Sequence, residues 1–329
     1  MTTEATTGAL SAAHGGKQKR SELQASRLRS AGIFLIPMII ALFVVAGWPL
    51  LRSIYYSFTN ATLDNLYTGA KIIGFGNYFF VVTLPSGKTF YSGVLADPQW
   101  WNAVYNTLRF GIVSVVLETV FGMLIALMLN KEFVGRGLVR AAILVPWAIP
   151  TIVSAKMWSW MLNDQFGMIN DLLLHLGLIH DKIAWTVDPN TVMFSIIIVD
   201  VWKTTPFMTL LILAGLQMIP TDIYEAAKID GIHPLKVFWR VTLPLVRPAL
   251  MVAVIFRLLD AMRIFDLVYV LTPNTPSTTT MSVLAQQNLF AFNKFGYGSA
   301  ESTLLFLIIA VLTILYIWLG KVDLSGDSK

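Results

Sequence analysis

The sequence predicts an all-α integral membrane protein that crosses the bilayer six times. Three observations carry this. Apolar residues make up 56% of the chain and charged ones 13%, where a soluble domain carries about 25% charge; the mean hydropathy is +0.66. Six stretches, at residues 31–51, 103–129, 138–161, 191–218, 245–271 and 301–320, meet the need of a membrane helix for roughly 20 mostly apolar residues. Lys and Arg gather on alternate connections, as the positive-inside rule demands.

Taken in order, residues 1–29 are rich in Ser, Thr, Gly and charge and read as a disordered tail. They carry Lys17, Lys19, Arg20, Arg27 and Arg29. Lys131, Arg136 and Arg140 follow span 2, Lys228, Lys236, Arg240 and Arg247 follow span 4, and Lys321 and Lys329 follow span 6. Only Arg52, Lys71, Lys88, Lys182 and Lys294 fall on the other connections. Both termini and the 219–244 loop are therefore expected in the cytoplasm, and residues 52–102 outside. Pro146, Pro150 and Pro206 fall within spans and predict kinks. Trp48, Trp101, Trp147, Trp158 and Trp318 lie near span ends, as an interfacial aromatic belt would.

Composition also excludes. The net charge of +5 comes without the basic run that a nucleic-acid face needs. With no Cys, there are no disulfides or thiolate metal sites. The first apolar run starts near Ala31, behind a polar tail, with no A-x-A cleavage pattern of a secretory signal. His175 and His180 are poorly spaced for two metal ligands on one helix face. No H-E-x-x-H, Walker sequence or Ser/His pair within the spans suggests an enzyme, so no catalytic residue and no metal site are assigned.

Two spans carry charge at mid-membrane, where it is costly and faces a cavity or a partner. Span 4 places Asp200, Lys203, Thr204 and Phe207 on one helix face, and span 5 places Arg257, Asp260, Ala261 and Ile264 at the same spacing. Hydroxyl, charge and aromatic groups at one depth suit a polyhydroxylated solute. The same residues read equally as an ion-pair network, Asp200 with Lys203 and Arg257 with Asp260, Arg263 and Asp266 neutralising one another. Arg109, Glu118 and Lys156 read as pairing residues before pocket or gate residues.

The connection after span 4 carries the most specific pattern. Pro220 stops one helix, and Asp222 and Glu225 have the D-x-x-E spacing of a capping box. Gly231 and Pro234 are expected to end the helix that starts there or bend it sharply, with Gly231 at a positive φ or a close backbone approach, and a second short helix is expected over 235–240. The residues run Glu225-Ala226-Ala227, three more, Gly231, nine more, Val241, one more, Leu243-Pro244. This resembles the EAA-x3-G-x9-I-x-LP signature of binding-protein-dependent ABC importer permeases, with Val for Ile at 241. Gly74–Tyr78, Asn106-Thr107, the Arg136–Pro146 stretch, Trp202–Met208 and Arg257–Asp266 resemble the carbohydrate branch of that family. The last two look most like its trehalose and maltose permeases.

The resemblance implies the six-helix type I importer permease fold in a bacterial inner membrane. Residues 30–323 would form the permease domain, with a coupling loop at 219–244 and a short C-terminal tail at 324–329. It implies a carbohydrate substrate, an α-linked disaccharide such as trehalose or maltose, met by Asp200, Lys203, Thr204, Phe207, Arg257, Asp260, Ala261 and Ile264. It implies docking to an ATPase through Glu225, Ala226, Ala227, Asp230, Gly231, Leu243 and Pro244. The partners would be a second homologous permease, two ATPase subunits that hold the ATP and Mg, an extracytoplasmic solute-binding protein and membrane lipid, with no cofactor on this chain. The competing reading is a self-sufficient secondary sugar transporter with Asp200 and Asp260 as coupling-ion sites.

Overall fold

The computed structural model describes residue 27, residues 29–66 and residues 68–320. The expectations for most of the 1–29 tail, for Lys321 and Lys329 and for the 324–329 tail concern residues outside that set.

The helices that frame the fold are α1 (Arg29–Ser57), α2 (Pro98–Asn130), α3 (Arg136–Ala148), α4 (Thr151–Met161), α5 (Met168–His175), α6 (Val192–Gln217), α7 (Thr221–Ile229), α8 (Pro234–Met262), α9 (Asp266–Leu271), α10 (Met281–Gln286) and α11 (Phe295–Gly320). Five of them, α1, α2, α6, α8 and α11, are long and apolar enough to cross a membrane, and α3 with α4 makes a sixth stretch bent by 90°. The chain divides into two compact units between Tyr55 and Tyr56.

Local sequence explains where the helices loosen. Phe43–Gly47 in α1 and Phe238–Thr242 in α8 are π-turns, closed by Trp48 N–H to Phe43 O and by Leu243 N–H to Phe238 O. A proline follows each, at 49 and 244. Proline has no N–H to donate and crowds the carbonyl four residues back, and a wider turn upstream relieves both. Span 5 accordingly differs from its sequence reading: Pro234 to Met262 is one continuous helix, with no separate helix over 235–240.

The connection 52–102, read from sequence as polar loop, carries a hairpin. β1 (Phe80–Thr83) pairs antiparallel with β2 (Thr89–Ser92), Phe80 opposite Ser92 and Thr83 opposite Thr89. The β-branched and aromatic runs FVVT and TFYS supply the strands. The turn between them closes with Leu84 N–H to Lys88 O at 2.8 Å, and Gly87 sits at φ 77°.

The packed centre is α2, α6 and α8. Small residues let these helices approach, which is how membrane helices associate when burial from water contributes little. A side chain on Gly215 of α6 would meet Ala249 Cβ of α8 at 2.4 Å, and one on Gly122 of α2 would meet Met208 Cβ of α6 at 3.0 Å. Gly215→Val is therefore expected to force α6 and α8 apart at a cost of about 1–3 kcal/mol. A lower thermal unfolding midpoint of the detergent-solubilised protein checks this.

Candidate functional site

Two of the spans are broken, and the breaks face one another. In the third, Ile149 adopts φ −75°, ψ 132° before Pro150, which caps α4. Steric conflict with the proline ring drives the preceding residue out of the helical region, so the chain turns instead of kinking. In the fifth, α8 stops at Met262, and Arg263 to Phe265 separate it from α9; the expected span over 245–271 is thus two helices. Non-helical backbone at membrane depth survives only where its polar groups find partners or line a cavity. Both breaks satisfy that rule with side chains. Lys203 Nζ donates to Ile149 O at 2.6 Å, and Thr280 Oγ1 donates to Ile264 O at 3.1 Å.

Between the breaks lies a cavity of about 500 Å³. The sequence-predicted residues Asp200, Lys203, Thr204, Arg257, Asp260 and Ile264 line it, together with Trp147 to Thr151 from the third span and Arg263 to Leu267 from the fifth. Phe207 is not in the wall, but stacks on Trp147, which is, with ring centroids 5.9 Å apart and planes 16° apart. Ala261 does not join them: it is fully buried in the apolar core with Phe110 and Leu267. The stripe Arg257–Ala261–Ile264 presumes a continuous helix, and the break after Met262 sends Ile264 to the cavity while Ala261 stays in the core.

The charges form a cross-helix network. Arg257 Nε donates to Glu118 Oε2 at 2.5 Å and its Nη2 to Glu118 Oε1 at 3.0 Å. Nη2 also pairs with Asp200, and Nη1 reaches Asp260 Oδ2 at 3.3 Å. Thr204 Oγ1 lies 2.7 Å from Glu118 Oε1 and 2.6 Å from Asp200 O, so its one proton serves either. Arg257 and Glu118 are 2% and 0% exposed, whereas the Asp260 side chain is 69% exposed. Burial thus sorts the cluster. Glu118, Asp200 and Arg257 hold three spans together, and Asp260 presents a carboxylate to the cavity. The pairing of Lys203 with Asp200, read from i, i+3 spacing, is replaced by the Lys203 bond to Ile149. Arg109 and Lys156 are exposed and have no ion-pair partner among the described residues.

Trp147 and Trp158, read as belt residues, also make specific contacts within the bundle. Trp147 stands at the break, and Trp158 packs edge-on against Trp202 at 5.5 Å. No single residue in the sequence announces the cavity wall at 147–151; the signal is Pro146 and Pro150 together.

The 219–244 connection forms a second site. Helix α7 starts at Thr221 with Pro220 as its N-cap and no side-chain cap, so the expected Asp222–Glu225 capping box is not made. Glu225, Ala226, Asp230 and Gly231 are exposed, Ala227 is buried, Leu243 is half-buried and Pro244 is exposed. The helix ends in a Schellman turn, Gly231 N–H to Lys228 O at 3.1 Å and Ile232 N–H to Ala227 O at 3.0 Å. Gly231 has φ 67°, the positive value expected, with open space around it. Ile229, Leu235 and Trp239 stand 86%, 65% and 64% exposed beside it, an apolar surface larger than a solvated loop needs.

A bundle of apolar helices around a polar cavity made at two helix breaks defines a solute-conducting membrane protein. Residues 118–322 match the family described as binding-protein-dependent transport system inner membrane component. The chain belongs to that family, and is thus a component of a multi-part transporter in the inner membrane, neither an enzyme nor a self-sufficient carrier. It is 47% identical over 233 residues to the trehalose/maltose transport system permease protein of Thermococcus litoralis, covering 70% of this chain and 78% of that one. It is 35% identical over 291 residues to the trehalose transport system permease protein of Mycobacterium tuberculosis, covering 88% of each. The sulfoquinovosyl glycerol transport system permease protein of Agrobacterium fabrum is 34% identical over 289 residues, 87% of this chain and 89% of that one. The fold matches a chain of a bacterial ABC transporter that imports the acidic polysaccharide alginate, with TM-score 0.72 and 20% identity over 92% of this chain and 98% of that one.

Proposed function

We propose that this chain is the permease subunit of an ATP-driven importer for a neutral α-linked disaccharide of the trehalose and maltose type. It would act with a second permease, two ATPase subunits that hold ATP and Mg, and an external binding protein. Residues 30–323 are the permease domain, and both termini face the cytoplasm. The observation that carries the substrate reading is the cavity. Its volume of about 500 Å³ lies within the range of small-molecule sites. The guanidinium of Arg257 is engaged by three carboxylates, while Lys203 and Arg263, which also line the cavity, bond backbone carbonyls. Asp260, Thr204 and the Trp147–Phe207 stack offer hydrogen bonds and an aromatic face to a sugar. The relatives that transport trehalose and maltose support the same choice. The exposed face of Glu225, Ala226, Asp230 and Gly231, flanked by Ile229, Leu235 and Trp239, is the docking surface for an ATPase groove.

The test is uptake of radiolabelled trehalose and maltose into proteoliposomes that hold the complete complex, with and without ATP. Asp260→Asn, Thr204→Val and Phe207→Ala are each expected to assemble normally and to raise the half-saturation several-fold, the size of about one neutral hydrogen bond. Unchanged uptake in all three would move the sugar site to the partner permease.

Orientation has its own test, clean because the chain has no Cys. A cysteine at Asp188 is expected to react with an impermeant thiol reagent in intact cells, and one at Lys236 to stay unlabelled until the cells are broken. The opposite pattern would invert the topology.

A further inference from the structure

We propose a second carbohydrate subsite, for one ring of a neutral sugar, at the outer end of α2. It rests on the sugar-permease reading and on the orientation above. A cavity of about 200 Å³ lies there, walled by Gln99 and Asn102 of α2, Asn274 and Thr279 of the 272–280 loop, and Gln287 and Phe292 after α10. It is separate from the central cavity: Asn102 and Glu118 lie on the same helix, about 24 Å apart along its axis.

Its chemistry is unlike that of the central cavity. Its wall contains no charged side chain, but it collects four carboxamides, a hydroxyl and an aromatic ring. Carboxamides present donor and acceptor side by side, as vicinal sugar hydroxyls do, and a ring face packs on pyranose C–H groups. A metal ion, phosphate or acidic sugar finds no counter-charge in this wall. Several of the polar atoms are uncommitted. Gln99 and Gln287 make no side-chain hydrogen bond among the described residues, and Asn274 Oδ1 is buried without a partner. The Gln99 and Gln287 amides can therefore bond a ligand's hydroxyls without giving up a protein partner, whereas Asn274 Oδ1 is closed off from the cavity.

The wall is also built in advance. Asn274 is held in the left-handed region at φ 55°. The Asn102 and Asn106 amides both donate to Pro276 O, at 2.5 and 2.9 Å, and Asn106 also donates to Thr279 O at 3.0 Å. Thr279 Oγ1 returns to Thr275 O at 2.9 Å. The loop is therefore fastened to α2, and a sugar arriving there meets fixed groups and loses little ordering entropy. With room for one ring only, the subsite would take the leading ring of a disaccharide on its way to the central cavity.

The experiment photolabels the complete complex in proteoliposomes with a diazirine-bearing trehalose and maps the labelled peptides. It is run on the wild type, on Gln99→Leu/Gln287→Leu/Phe292→Ala and on Phe207→Ala. In the wild type, label is expected on peptides of both cavities. The triple variant should lose the outer label only, and its half-saturation for trehalose uptake should rise about three- to tenfold, the size of a neutral hydrogen bond or two, at unchanged maximal rate. Phe207→Ala should keep the outer label. Label confined to the central cavity would overturn the subsite and leave the permease reading standing. Weaker association of the sugar-loaded binding protein with the triple variant, with outer labelling intact, would make the pocket a protein contact and also overturn it. No label at either site, in a complex that hydrolyses ATP, would overturn the sugar reading itself.

Discussion

Arg257→Leu is expected to keep the protein from accumulating in folded form. Arg257 is the only cation bonded to Glu118 and Asp200 among the described residues, and all three side chains are at most 7% exposed. Removing it leaves two carboxylates facing each other in a low-dielectric site. Losing one partner of a buried pair costs about 3–5 kcal/mol, a large part of a total stability of roughly 5–15 kcal/mol. Arg257→Lys should recover little, because an ammonium group cannot reproduce the fork that grips both Glu118 oxygens. The companion variant Glu118→Gln/Asp200→Asn/Arg257→Leu should restore much of the yield, since buried ions replaced together by neutral groups are often tolerated. Asp260→Asn, at the exposed end of the same network, should cost under about 1 kcal/mol. The measurement is the yield of monodisperse protein in detergent and its thermal midpoint. Wild-type yield from Arg257→Leu would mean that water reaches the cluster and that it is cavity wall throughout.

Those variants bear on a question that spacing alone left even, whether the mid-membrane charges bind solute or neutralise one another. Burial divides them, and burial is not written in i, i+3 periodicity. Glu118 shows why. In sequence it is a lone acid in span 2, far from Arg257, and only the packing of α2 on α6 and α8 brings the two within 2.5 Å. The spans were legible because roughly 20 apolar residues in a row have few other uses. Their breaks were less so. Pro150 marks the first, but membrane helices often keep a proline, as α6 keeps Pro206. The second, after Met262, has no proline or glycine, only tertiary bonds such as the Thr280 hydroxyl on Ile264 O. Ala261 went astray for that reason. Gly231, by contrast, was legible because a helix that must turn sharply ends on glycine by local backbone chemistry alone.

Gly231→Val is expected to abolish most sugar uptake while the chain still inserts and folds. A Cβ at 231 would meet nothing within 4 Å, so the substitution makes no clash. Its effect is on the backbone: a β-branched residue held at φ 67° is a genuine outlier, and the left-handed region costs a non-glycine residue roughly 1–2 kcal/mol. The chain relieves that strain most readily by opening the Schellman turn, which releases Ile232 N–H from Ala227 O and re-aims α7 relative to α8. The rest of the bundle does not depend on this turn, so solubilised yield and helix content should stay near wild type. An ATPase docked on Glu225, Ala226 and Asp230 would lose its geometry, and 1.4 kcal/mol is already about tenfold in affinity. ATP-dependent uptake in proteoliposomes should therefore fall at least about tenfold, with basal ATP hydrolysis of the complex largely kept. Gly231→Asn supplies the control, because asparagine accepts the left-handed cap better than other side chains; it should transport at close to the wild-type rate. Uptake lost equally in both would assign the effect to side-chain bulk at the docking surface, and uptake kept in both would remove this turn from the coupling path.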